Sequence, residues 1–212
     1  ALGTPMIDSH CHLADEVFAM DLEEVIARTK AAGLERVLVI LDAGNQQEET
    51  QGLKAYNLWP ELRVSIGIHP HQTRQFSGNA LGAVEIVRKQ VARTSFCRAI
   101  GEIGLDYHYD YSPHPVQQAV FRAQLRLARE LKTPVVIHSR EADNDTIDAI
   151  KSSGGGEVTG VFHCFSGGRT LASAALDLGF HISLSGIVTF PNAQDLRNLV
   201  RHIPSDRLLL ET

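Results

Sequence analysis

The chain has no apolar run approaching the ~20 residues needed to cross a bilayer, and its N-terminus shows no charged stretch followed by an apolar one. Neither membrane insertion nor a secretory leader is indicated, and a cytoplasmic location is the expectation. Cysteine is scarce. Cys11, Cys97 and Cys164 are odd in number, far apart and form no CxxC pair, which argues against a disulfide framework and for small buried thiols. Positive charge is in deficit as well: 20 Lys and Arg against 25 Asp and Glu leave a formal charge of −5. A protein that coats nucleic acid through a broad basic face is therefore not expected. A nucleic-acid substrate is still allowed, because bound divalent cations dominate the field around a site that grips one chain end. Low-complexity tracts, long linkers and residue-level repeats are also missing, so nothing suggests a repeat array.

What is there suits one globular unit. With 212 residues, 43% of them hydrophobic, the chain can bury one sizeable core without disulfides or metal staples. A single domain over residues 6–212 is expected, and the leading "ALGTP" reads as an appended remnant outside the fold. Eight short β-branched or apolar runs recur: Met6 to His12, Arg36 to Asp42, Arg63 to His69, Arg98 to Ile103, Pro134 to His138, Val158 to His163, Phe180 to Gly186 and Arg207 to Glu211. Between them lie helical stripes, such as Leu22, Val25, Ile26 and Thr29 closed by Gly33, and Val116, Ala119, Val120, Ala123, Leu127 and Leu131 closed before Pro134. Alternating strand and helix predicts a parallel sheet, open or closed. Nearly every run ends in a residue able to bind a metal or a phosphate: His10 and His12, Asp42, His69, Glu102, His138, His163 and Ser185. An open sheet would spread these along a crevice, whereas a closed barrel gathers strand ends around one mouth. The expected fold is thus α/β, a TIM (β/α)8 barrel.

Residues two apart on a strand share a face, so His10 and His12 can reach one ion while Cys11 points outward; the same parity places Asp8 inward. An HxH pair alone is weak evidence. It is strengthened by "AIGEIGLDY", where Glu102 ends a strand between glycines that allow close backbone approach, and by "VVIHSR" and "GVFHCFSGG", two apolar strands each ending in a single His. Four imidazoles with a carboxylate able to bridge suit a pair of divalent ions about 3.5 to 4 Å apart.

These segments, taken together with "DSHCHL", "GIHPH", "ISLSG" and the terminal "LLLET", run in order along almost the whole chain. In this it resembles the TatD family of metal-dependent deoxyribonucleases, within the amidohydrolase-like barrel superfamily. The resemblance implies that His10 and His12 bind one ion, that His138 and His163 bind the other, and that Glu102 bridges. It also implies catalytic roles for Glu102, His138 and His163, and DNA as substrate, single-stranded or trimmed 3′ to 5′ from its ends. A hydroxide held between two such cations can attack a phosphodiester, since coordination lowers the pKa of water towards neutrality. Zn, Mn, Co, Ni and Mg are all compatible with the ligand types. The family pattern continues "ETD" with a further ligand Asp, while the sequence stops at Thr212, and the helix expected after the eighth strand is absent. A chain ending there is expected to bind the first ion weakly.

Three further residues are substrate-side candidates. His69 closes the third strand, where an imidazole could donate to a phosphate, whereas His71 reads as a solvated residue of a turn stiffened by Pro70. Asp106 could orient a ligating His or cap the loop after the fourth strand. Arg140 shares the parity of His138 and offers a planar fork to a phosphate, or a loop salt bridge to Glu141. Phe165 and Phe190 read as core-closing rather than base-stacking, Trp59 as helix-end packing, and Lys132 as lying at the opposite barrel end. A competing reading is a hydrolase of a small amide, lactone or phosphoester on the same barrel; another is a non-catalytic protein with a structural metal.

Overall fold

The computed structural model describes residues 6–212; the appended remnant read in the first five residues lies outside the described residues. Strands β1 (Met6–Cys11), β2 (Leu34–Asp42), β3 (Arg63–Gly67), β4 (Cys97–Asp106), β5 (Val135–Arg140), β6 (Gly160–Phe162), β7 (His181–Leu184) and β8 (Leu208–Leu210) form one parallel sheet in sequence order. Helices α1 (Leu22–Ala31), α2 (Gln46–Leu58), α3 (Ala80–Arg93), α4 (His114–Leu131), α5 (Asp143–Gly154), α6 (Arg169–Asp177) and α7 (Gln194–Val200) alternate with them. The result is a nearly closed barrel of the expected TIM type. No described helix is long and apolar enough to cross a membrane.

Local chemistry sets the element ends. Asn45 caps α2 by accepting from Glu48 N (3.2 Å), and the Glu48 carboxylate turns back to accept from Asp42 N (2.6 Å) and Asn45 Nδ2 (2.9 Å), so the β2–α2 turn is tied at both sides. Of the stripe read from Val116 to Leu131, Val120, Ala123 and Leu127 lie on the buried face of α4 beside Phe121, Gln124, Leu125 and Ala128, while Ala119 and Leu131 are exposed; the helix ends at Lys132 in the left-handed conformation just before Pro134. Lys132 therefore lies away from the strand C-termini, as expected.

Alternation along the strands separates two layers. Ile100, Ile103, Leu105, Val135 and Ile137 pack outward in the layer beneath α3 to α5, while Ala99, Val136 and Val161 pack inside with Leu38 and Leu209. Val136 and Val161 stand two residues before His138 and His163, so this small apolar cluster is the floor below those imidazoles.

The structure departs from the sequence reading in β1 and β4. Strand β1 is irregular between Asp8 and Cys11. Ser9 rather than Asp8 therefore turns inward, where its Oγ lies 2.8 Å from Ser183 Oγ and donates to Leu210 O (2.9 Å). Asp8 instead borders a cleft beside α1, where it accepts from Thr212 N (3.2 Å) and Thr212 Oγ1 (2.6 Å). These side-chain bonds close the seam between β1 and β8, for which no backbone ladder is found among the described residues. Strand β4 runs on to Asp106, so Glu102 is an inward residue of its middle rather than its last residue. A Cβ on Gly101 would lie 2.6 Å from Val136 Cβ, and one on Gly104, at φ +145°, would overlap the His138 carbonyl. Both glycines are required for β4 to pass this close to β5.

Candidate metal centre

The inward side chains converge on Glu102, a carboxylate 5% exposed. Its Oε1 lies 2.7 Å from His163 Nε2, 2.8 Å from His138 Nδ1 and 3.1 Å from His69 Nε2, and its Oε2 lies 3.3 Å from His10 Nε2. The four imidazoles come from β1, β5 and the residues just after β3 and β6. His10 stacks on His163 with ring centroids 3.9 Å apart, and His12, just past β1, meets the His10 ring edge-on at 5.1 Å. Three triads have ligand atoms within 4.8 Å of one another: His10, His12 and Glu102; His69, Glu102 and His138; His10, His163 and Glu211.

Electrostatics hold the cluster in this form. Burial opposes the charge of Glu102, but the facing His163 and hydrogen bonds from His138 and His163 outweigh it and leave the carboxyl well below its usual range. Burial likewise opposes charge on His138 and His163, yet Asp106 and Glu102 raise the first, and Glu102 and Glu211 raise the second. His12 is lowered, by burial and then by the neighbouring His10. Neither ring nitrogen of His10, 2% exposed, has a hydrogen-bond partner; the 3.3 Å approach to Glu102 is a close contact out of hydrogen-bond alignment. Glu211 Oε2 is also buried without a partner. Unpaired buried polar atoms of this kind are costly to leave unmet, and imidazole nitrogens beside carboxylates are the donor set that divalent transition metals take. The residues present therefore fit a metal site.

A second ring of acids orients the histidines. Asp106, 1% exposed, has Oδ2 2.8 Å from His138 Nε2 and 2.9 Å from His71 Nε2, while Oδ1 accepts from His108 N (3.0 Å) and Tyr109 N (3.2 Å). Burial opposes its charge, but His138 and His71 drive its carboxyl strongly down. Glu211 Oε1 lies 3.2 Å from His163 Nδ1 and accepts from Cys164 N (3.0 Å). In both histidines one nitrogen faces Glu102 and the other is held by an acid, the arrangement that fixes tautomer and ring angle in metal-ligating imidazoles.

Of the residues singled out in the sequence, His10, His12, Glu102, His138 and His163 are brought together. His69 joins the same cluster rather than standing apart towards a substrate, and Asp106 has both oxygens engaged within the protein, so its position is that of an orienting group. His71 is not a merely solvated turn residue, since it shares Asp106 with His138. Arg140 makes no ion pair with Glu141, which lies 2.7 Å from His108 Nδ1 instead; its guanidinium sits over the Tyr109 ring, 5.0 Å from the centroid. Phe165 is buried as expected, whereas Phe190 is 54% exposed and closes no core. Cys11 and Cys97 are pushed by burial up to about 12 and about 11, so both are inert thiols. Glu211 was missed in the sequence, although its signal was present: a carboxylate closing the apolar run "LLLE" at the depth of the other ligands.

Residues 7–212 match the family model described as TatD related DNase. The chain is 37% identical over 207 residues to an uncharacterized metal-dependent hydrolase, YabD, of Bacillus subtilis, covering 98% of this chain and 79% of that protein. It is 35% identical over 209 residues to a protein of Pectobacterium parmentieri named 3′-5′ ssDNA/RNA exonuclease TatD, covering 98% and 78%. The crystal structure of YjjV, a TatD homologue from Escherichia coli K12, superposes with a TM-score of 0.84 at 30% identity, over 98% of this chain and 78% of that one. With barrel, ligand cluster and sequence in agreement, the chain belongs to the TatD-related DNase family of metal-dependent hydrolases.

Proposed function

We propose that this protein hydrolyses phosphodiester bonds in DNA as a deoxyribonuclease, working 3′ to 5′ on single strands or ends, with two divalent cations at the Glu102 cluster. The observation that carries the reading is the convergence of His10, His69, His138 and His163 on one buried carboxylate, in a family whose relatives include a named 3′-5′ ssDNA/RNA exonuclease. Divalent cations bound here would supply Lewis acidity towards a phosphodiester oxygen and activate water at neutral pH.

The chain's own residues define the rest. Glu102 belongs to two of the three triads, one with His10 and His12 and one with His69 and His138, so it serves as the shared ligand in this reading; the family resemblance pairs His163 with His138, whereas its ring stacks on His10. Asp106 and Glu211 hold the outer nitrogens of His138 and His163, so these rings need no reorientation when ligands arrive. No cysteine or serine is placed as a nucleophile. Arg140, free of carboxylate partners among the described residues, offers its fork to a phosphate oxygen at the mouth. His69 has both ring nitrogens engaged, Nδ1 accepting from His71 N (3.1 Å) and Nε2 lying 3.1 Å from Glu102 Oε1, so its part in this reading is with the ligand cluster.

The test is cleavage of end-labelled single-stranded oligonucleotides by chelated protein after addition of Mg, Mn or Zn. Ladders shortening from the 3′ end are expected. Absence of hydrolysis with every metal, combined with turnover of a small ester or amide, would remove the nuclease reading.

A further inference from the structure

The loop after β4 presents two aromatic rings that no core uses. Tyr109 is 39% exposed and Tyr111 56%, and the rings stack on each other with centroids 5.2 Å apart and an interplanar angle of 25°. The loop beneath them is held on every side. Tyr109 N is bonded to Asp106 Oδ1, Arg74 Nε donates to Tyr111 O (2.7 Å), and Ser112 Oγ donates to His71 O (3.0 Å). Gln117 Nε2 donates to Ser112 O and Asp106 O (both 2.9 Å). Two solvent-facing tyrosines on so constrained a loop are pre-organised for a contact rather than left over from packing.

Their position relates them to the metal centre. His71 meets Tyr111 at 4.7 Å and Tyr109 at 5.6 Å, both edge-on, and its ring is 6.1 Å from that of His138. The tyrosines thus stand one side chain beyond the ligand cluster, about the reach of a nucleobase from its own phosphate. The adjoining cleft of about 580 Å³, lined by Tyr107, Glu141, Asp143 and Asp145, is acidic and would repel an anionic strand, and Glu141 itself is engaged by His108 Nδ1 at 2.7 Å. Arg140 over the Tyr109 face gives the tyrosine side the positive charge.

We propose that Tyr109 and Tyr111, flanked by Arg140, form a stacking platform for an unpaired nucleobase of the strand whose phosphodiester lies at the Glu102 cluster. This rests on the phosphodiester reading above and adds to it the device that favours single strands. Stacking on an aromatic face is tolerant of base identity, and it requires a base freed from its neighbours. The platform therefore selects unpaired ends without selecting sequence.

The experiment compares wild type, Tyr109→Ala/Tyr111→Ala, Tyr111→Leu and Tyr111→Phe, loaded with Mn. Each is assayed on a single-stranded oligonucleotide and on the same strand carrying abasic nucleotides near the cleaved end. Wild type is expected to favour the base-bearing strand through KM. The double alanine variant should raise that KM about tenfold, the order expected for one lost base stack, with kcat within about twofold, and should lose the preference over the abasic strand. Tyr111→Leu, which keeps apolar bulk without a π face, should follow the alanine variant, and Tyr111→Phe should follow wild type; melting temperatures check that each folds. Wild-type cleavage of DNA with KM and preference unchanged in the alanine and leucine variants overturns the platform alone. A wild type that cleaves neither strand yet turns over another ester overturns the phosphodiester reading and the platform together.

Discussion

Because the ligands sit on different strands, metal uptake must register as fold stability, and Glu102→Gln is the substitution that isolates it. Its side chain keeps its shape but loses the charge and one ligating oxygen, in a group within 3.3 Å of four imidazoles. A ligand that binds only the folded state at a hundredfold excess over Kd stabilises by about 2.7 kcal/mol. In a chain of 212 residues that corresponds to a Tm rise of about 5 to 11 °C per ion. Part of the gain has a visible source, since the buried His10 nitrogens and Glu211 Oε2 lack partners, each a group worth about 1 to 3 kcal/mol when left unmet. The assay is calorimetry of chelated protein with and without added Zn or Mn, for wild type, Glu102→Gln and Glu130→Gln, the last an exposed acid in a surface pair with Arg88. Each shift is measured against the same variant without metal, so apo stability differences cancel. Wild type and Glu130→Gln should gain the full shift and Glu102→Gln less than about a third of it, because both triads outside His10, His163 and Glu211 use its carboxylate. An equal shift in all three would place the metal elsewhere and refute the reasoning.

Other consequences are smaller in scope. Asp106→Asn keeps the volume but removes the charge that holds His138 Nε2; metal affinity by titration calorimetry should fall about 10- to 100-fold, as for other outer partners of ligating histidines. Gln117→Leu strips the fully buried amide that bonds Asp106 N, Asp106 O and Ser112 O, and urea unfolding should show a loss of about 3 kcal/mol from the stranded backbone groups. Burial pushes the Glu48 carboxyl up to about 7 from 4.5. The folded state therefore holds a proton that the unfolded state has released, and stability declines as pH rises through that window. Glu48→Gln should flatten that slope, by about 1 kcal/mol once partial exposure is allowed for, while a slope that persists in the variant would assign it to another group.

Much of this was legible in the sequence because a parallel barrel obeys two simple periodicities. Each apolar run was long enough to mark a strand, and His138 and His163 stand two residues beyond Val136 and Val161, so a floor-to-ligand parity could be read without coordinates. Gly101 and Gly104 around Glu102 were legible for a similar reason, since closely passing backbones leave no room for a Cβ. Strand limits were less secure. The reading ended β4 near Glu102, because "GEIG" looks like the end of a run, whereas pairing with β5 carries it through Leu105↔Ser139 to Asp106↔Arg140.

What parity could not supply was the direction of side chains where the strand departs from regular pleating. One irregularity in β1 exchanges the roles of Asp8 and Ser9, and no local residue signals it, because the partner that Ser9 meets, Ser183, stands 174 residues away in the sequence. His71 was misjudged on the same grounds: "GIHPH" shows the turn but not that Asp106, 35 residues later, rises to meet it. Glu211 and Asp106 do equivalent work from different strands, each gripping the outer nitrogen of one imidazole. Residue type and depth therefore identify the ligands, whereas the acids that aim them are defined by pairings across the barrel, which is why a sequence reading finds the first group more readily than the second.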